Sequence, residues 1–392
     1  MTSTTPAFIT PRLVRWARQR VHATHEAIAA KLRVEPRRIA AWEEGGERPT
    51  FRQAHDLAHC LNVPFGYLYL SSPPVEKTPL PDLRTLAGKR PKKLSPEFSD
   101  TLDDIIRKQE WYREYLKGEG QSRLDFIGRF ALGDDVKRVA GDIQSVLGLS
   151  DELRDEVSTW EDFFTALVRQ CESKGILVFR NRVVGNDNHR HLSVKEFRGF
   201  TIADDLAPII FVNGQDSKTA QIFTLVHEVA HLWIGQSGIS NPNLRTRTSY
   251  PGNEIERYCN RVAAEVLIPE ESFLQSWKDD IGTEENLREL SRAYKVSTSV
   301  VLRRAYELDA LGYSEFLRLL KLYEARWKRI RAKKDDGGHF HNILLARNSS
   351  TLTRILLEGA LEGRFSTREA ARLLGIKAST VEKIGEALAG AV

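Results

Sequence analysis

His227-Glu228-Val229-Ala230-His231 places two imidazoles and a carboxylate within five residues. On a helix of about 3.6 residues per turn, His227 and His231 project from one face, where a single metal ion can take both. Glu228 lies roughly 100° further round, placed to reach a metal-bound water rather than the metal. The chemistry that needs this set is hydrolysis, with neutral nitrogen ligands for a metal and a base for the proton of water. An H-E-x-x-H run also arises by chance, so its surroundings decide. Asp216 and Ser217 can cap a helix start, and Ile222, Phe223, Leu225, Val226, Val229, Ala230, Leu232, Trp233 and Ile234 follow before Gly235. A helix apolar on nearly all sides is buried, and histidines and a carboxylate inside it need partners.

A catalytic zinc takes three protein ligands and leaves a fourth position to water. The next helical pattern, residues 253–268 up to Pro269, offers Glu254, Glu256 and Glu265. Glu256 and Asn260 are one turn apart on one face, which favours Glu256 as the ligand and Asn260 as a residue that orients a ligand from behind. Glu254 is the alternative, and Glu265, nearly on the opposite face, suits a structural partner. A His-His-Glu set accepts Zn²⁺, and also Mn²⁺ or Fe²⁺. His189, His191, His339 and His341 read as solvated loop histidines.

The runs T-L-V-H-E-V-A-H-L-W and E-x-x-C-N-R-x-A-A-E-x-L-I-P, the second spanning 256–269, together resemble the ImmA/IrrE family of metallopeptidases. The resemblance implies His227, His231 and Glu256 as metal ligands and Glu228 as the general base. It also implies a zincin-like core and, as substrates, DNA-bound repressors cut by limited proteolysis. Short β-prone runs at 176–179, 197–202 and 208–212 precede the helix. An edge strand among them could take an extended substrate segment by strand addition.

Residues 8–72 carry a second signal. Leu13, Val14 and Ala17, then Ile28, Ala29 and Leu32, then Ile39 and Ala40, then Leu57 and Leu61 mark a helical bundle. Its segments 24–32 and 36–43, joined through Arg33, Val34 and Glu35, have helix-turn-helix proportions. With the run I-A-A-W-E-x-G and the following R-P-T, the region resembles the XRE-type repressor domain. Under that resemblance Pro36 opens the recognition helix, and Arg37, Arg38, Thr24 and Arg48 are the residues expected on operator DNA. Trp42 is expected in the core. XRE-like domains commonly act as dimers on paired half-sites, so a homodimer is expected.

At 392 residues several domains are expected. Pro73, Pro74, Pro79, Pro81, Pro91 and Pro96 mark a linker over 73–96, followed by a helical connector over 97–172, the zincin-like domain over 173–280 and a helical C-terminal domain over 281–392. Within the last, 283–311 and 366–388 have weak helix-turn-helix proportions. Between them an apolar stripe through Phe316, Leu319, Leu320, Tyr323, Trp327 and Ile330 ends in a basic cluster over 326–334. The expected fold class is mainly α with a small β-sheet (α+β): a five-helix bundle, a zincin-like core and an all-α C-terminal domain.

The net charge of +5 suits DNA without requiring it. Cys60, Cys171 and Cys259 form no C-x-x-C, which suggests reduced thiols and a cytoplasmic protein. No apolar run approaches the ~20 residues of a membrane span, and the start of the chain lacks a signal-peptide core.

The whole domain order resembles a bacterial architecture some of whose members neighbour PIN-like ribonuclease toxins. Two functions therefore compete. One is a DNA-binding transcriptional regulator fused to a zinc-dependent endopeptidase that cleaves a regulatory protein such as a repressor. The other is an antitoxin and repressor whose zincin domain chiefly binds a toxin. The complete set His227, Glu228, His231 and Glu256 favours the enzyme, since a domain kept for binding alone has no use for a general base.

Overall fold

A computed structural model describes residues 5–21, 23–74, 94–240, 254–330 and 340–389. Most of the expected 73–96 linker, His339 and the side chains of the 326–334 basic cluster lie outside the described residues. The chain divides into two compact units, one running to Pro79 and including Lys93–Asp100, the other containing the rest.

In the first unit, α1 (Pro11–Arg20), α2 (His25–Leu32), α3 (Pro36–Glu44) and α4 (Phe51–Cys60) are followed by a 3₁₀ helix at Phe65–Tyr69. The fifth element of the bundle is thus a 3₁₀ helix rather than an α-helix. The starts are written locally: Thr24 accepts from the Ala27 amide, and Thr50 with Gln53 forms a capping box. Arg33, left-handed at φ 54°, ends α2 and begins the turn into α3. Val14, Ala17, Ile28, Ile39, Trp42 and Leu57 form the core. Glu43 is buried beside them and accepts from Arg18 Nε (2.6 Å) and Nη2 (3.0 Å), with His25 Nε2 at 3.3 Å. Burial pushes its carboxyl up, but the bonds from Arg18 and His25 outweigh this and hold it below the ordinary range.

The rest of the described chain is mostly helical, with one four-stranded sheet and a two-stranded hairpin. α5 (Pro96–Gly118), α6 (Val136–Leu147), α7 (Asp151–Asp155) and α8 (Trp160–Ser173) lead into β1 (Leu177–Asn181), β2 (Val183–Val184), β3 (Asp187–His191), β4 (Gly199–Ile202) and β5 (Ile209–Asn213). Then come α9 (Lys218–Trp233), β6 (Gly238–Ser240), α10 (Glu254–Leu267) and α11 (Glu270–Ser276). The chain continues through α12 (Thr283–Ala293), α13 (Thr298–Glu307), α14 (Tyr313–Ile330), α15 (Phe340–Asn348), α16 (Ser350–Leu361), α17 (Thr367–Leu374) and α18 (Ala378–Ala389). The fold class is α+β as expected, mostly helical with a mixed sheet.

The sheet runs β1-β5-β4-β6, with β1 parallel to β5 and β4 antiparallel to both neighbours. β5, I-I-F-V-N, is buried throughout, which is why it reads as a continuous apolar run rather than an alternation. The three expected β-runs all form strands, whereas β6 and the polar hairpin β2–β3 were not anticipated. Strand addition to the 197–202 or 208–212 run is excluded, because β4 and β5 are paired on both sides. β1 is an edge, but α15 packs against it; the other edge is β6.

α9 lies at the centre of the main core. Ser217 caps it by accepting from the Ala220 amide, and every residue from Gln221 to Trp233 is buried. Asp216, the other expected cap, pairs instead with Arg198 Nη1 at 3.0 Å. Gln109 of α5 is buried and donates to the Ala207 carbonyl at 3.0 Å. No helix among the described residues is long and apolar enough to cross a membrane.

Candidate metal centre

One turn of α9 separates His227 from His231, and α10 packs along that face to bring Glu256 against both. His231 Nε2 stands 3.1 Å from His227 Nε2 and 3.1 Å from Glu256 Oε1, and His227 Nε2 is 3.4 Å from Glu256 Oε2. All three residues are buried, and their ligand atoms lie within 4.8 Å of one another, the one such group among the described residues. Neither imidazole Nδ1 has a hydrogen-bond partner there. Two ring nitrogens and a carboxylate oxygen converging in a buried core are the donors a divalent cation of intermediate softness takes. The residues therefore fit zinc.

Glu256 has the electrostatics of a ligand, whereas His231 must give up a proton to become one. Burial alone would push Glu256 up, but the two imidazoles outweigh it and hold its carboxyl at about 2. Burial pushes His231 down; contact with the Cys259 sulfur and with Glu256 more than compensates, raising it well above the ordinary value. Glu256 is thus an anion ready to coordinate.

The Glu228 carboxylate lies near both imidazoles and also meets the sheet. Gly199 and Thr201, two apart on β4, share a face, and Ser240 is the cross-strand partner of Gly199 on β6. Thr201 Oγ1 donates to Glu228 Oε2 at 2.7 Å and Ser240 Oγ donates to Oε1, so each carboxylate oxygen has a hydroxyl. Gly199 makes room: a Cβ there would collide with Glu228 Oε1 and stand 2.9 Å from Thr224 Cγ2. Burial pushes the Glu228 carboxyl up, and the imidazoles and hydroxyls pull it back only in part. A carboxylate tuned toward neutrality is suited to take and return a proton. Gly199→Ala is expected to cost about 1–3 kcal/mol of stability by overpacking and to displace the carboxylate, as thermal melts and proton titration of Glu228 would register.

Of the remaining expected residues, Asn260 follows Glu256 by one turn and keeps its side-chain oxygen buried without a partner. Glu254 is exposed. Glu265 pairs with Arg304 and accepts from the Glu270 amide at 3.2 Å, the structural part expected of it. His189 is exposed, as is His341, and His191 Nδ1 contacts Gln215 Nε2 at 3.0 Å. In the first unit Thr24 is the cap of α2, and Arg37 is exposed with Glu35 beside it. Arg38 bonds Glu47 and stacks over Trp42, itself in the core as expected, while Arg48 stacks on Phe8. Thr24, Arg38 and Arg48 thus have structural work within the unit. Sequence reasoning missed Thr201, Ser240 and Gly199, although a glycine inside a β-prone run is a sign of close approach.

Residues 171–306, which contain the whole site, match the family model described as the IrrE N-terminal-like domain, of a zinc-dependent metallopeptidase family. Residues 348–387 match the model of a domain of unknown function (DUF8813). No curated protein matches the chain.

Proposed function

We propose that the chain is a DNA-binding regulator fused to a zinc-dependent endopeptidase that cuts a regulatory protein such as a repressor. The observation that carries the enzymatic half is the pairing of a three-donor metal group with a separate buried carboxylate whose two oxygens are each held by a hydroxyl. A metal bound only for structure has no need of the second part.

His227, His231 and Glu256 would hold the ion. When bound, zinc lowers the pKa of a water and polarises the scissile carbonyl. Glu228 takes the proton of the attacking water and returns it to the leaving amine nitrogen, its rotamer fixed by Thr201 and Ser240. The surrounding apolar residues of α9 keep the site dry, which strengthens each of these interactions. The test is cleavage of a defined peptide library by the zinc-loaded protein, dependent on Glu228.

DNA binding rests on the first unit by itself. α2, the turn at Arg33 and α3 have the lengths of a helix-turn-helix pair, and Arg37 stands exposed in the first turn of α3. On a fragment from upstream of its own gene, Arg37→Ala is expected to weaken binding and to lower the slope of log K against log salt by about 1, as loss of one phosphate contact does. Anisotropy across a salt series checks this; an unchanged slope would remove Arg37 from the interface. The protein would bind as a dimer on paired half-sites.

A further inference from the structure

The faces of α9 and α10 that carry the metal ligands continue beyond them into a cavity. Phe223 precedes His227 by one turn, their rings 6.4 Å apart, and Asn260 and Ala264 follow Glu256 by one and two turns. These three residues line a cavity of about 440 Å³, together with Val300 and Leu308 among others. A second cavity, of about 420 Å³, adjoins it, and Arg257 and Arg261 line both.

Most charges around the first cavity are already matched. Lys137 pairs with Glu270 at 3.2 Å, Arg303 with Glu307 at 2.6 Å, and Arg304 with Glu265. Asp135 caps α6. Arg261, exposed on the rim, has no carboxylate partner among the described residues. The Asn260 side-chain oxygen is buried and lacks a donor. The lining thus offers an apolar wall of Phe223, Ala264, Val300 and Leu308 among paired charges, one acceptor for an N–H, and a cation at the mouth.

We infer that this groove seats the substrate: an extended protein segment with an apolar side chain in the cavity, a main-chain N–H on Asn260 and an Asp or Glu beside Arg261. The occupant follows from charge complementarity at the rim and from the unmatched acceptor one turn from a metal ligand. The inference rests on the peptidase reading of the α9–α10 site, and it names the sequence class that site would take.

The test uses the full-length, zinc-loaded Glu228→Gln protein, immobilised and equilibrated with a synthetic decapeptide library whose bound fraction is sequenced by mass spectrometry. Peptides with an apolar residue next to Asp or Glu are expected to be enriched. Arg261→Glu in the same background should cut their retention about 5-fold, as loss of one exposed ion pair does, and favour Lys or Arg instead. Arg261→Lys should keep the acidic preference. Because Arg261 is exposed, both variants fold, and circular dichroism with zinc content confirms it. Enrichment without an acidic preference, or one indifferent to Arg261→Glu, overturns the inference. The same library given to the wild-type protein separates the two claims. Acid-selective binding without cleavage contradicts the peptidase and leaves the groove standing, whereas cleavage without acid selectivity contradicts the groove alone.

Discussion

Glu228→Gln is expected to lower peptide hydrolysis by about 10²–10⁴-fold while leaving one equivalent of zinc bound and the fold intact. The side chains are nearly isosteric, and the amide can still accept from one hydroxyl through its oxygen and donate to the other through its nitrogen, so Thr201 and Ser240 stay satisfied. What is lost is the group that accepts a proton. Since burial raises the Glu228 pKa, its carboxylate is protonated, and inactive as a base, at a higher pH than an exposed glutamate would be. Activity should therefore climb as pH rises through that shifted pKa, a limb absent from the residual rate of the variant. Metal content by mass spectrometry and initial rates across pH check both statements. A variant that loses zinc together with activity would instead make Glu228 a determinant of metal binding.

The second large effect separates three carboxylates that share one helix. Glu256→Gln is expected to weaken zinc binding by more than about 100-fold, beyond the range seen when only a residue behind a ligand is changed. It removes the anion that both imidazoles face, at 3.1 and 3.4 Å. Glu254→Gln should change nothing measurable, since its side chain is exposed. Glu265→Gln should leave zinc affinity intact and cost stability, about 3–5 kcal/mol, by leaving the buried Arg304 without its partner. Competition with a chromophoric chelator reads the first quantity and denaturant unfolding of the zinc-free proteins reads the second. Equal zinc affinity in all three would mean that the ion sits elsewhere.

The contrast also shows what the amino-acid sequence made legible. Helical periodicity fixes which residues share a face, so the His227–His231 pair and the choice of Glu256 over Glu265 follow from spacing within single helices. Contacts between elements do not follow from spacing. Thr201 and Ser240 reach Glu228 from 27 and 12 residues away, through strands whose pairing no local pattern specifies. β6 is three residues long, too short for alternation to mark it, yet it supplies one of the two hydroxyls on the base and takes the sheet edge that a reading of 176–212 assigned elsewhere. Arg38 looked available for DNA because its partner Glu47 lies beyond the end of α3, where helix spacing says nothing. The N-terminal bundle was traced by its apolar stripes, but not the buried Glu43 beneath them, which holds α3 to α1 through Arg18.

Under the proposed function, Glu228 serves proteolysis. The measurement that tests it most directly is a comparison of new protein N-termini in cells producing the wild-type chain or Glu228→Gln, stressed and unstressed, once each purified protein is shown to carry one equivalent of zinc. At least one N-terminus, within a regulatory protein, is expected to arise with the wild type and not with the variant. Identical sets of N-termini under every condition would contradict it, and would leave the metal group as part of a surface that binds a toxin or another partner without cutting it.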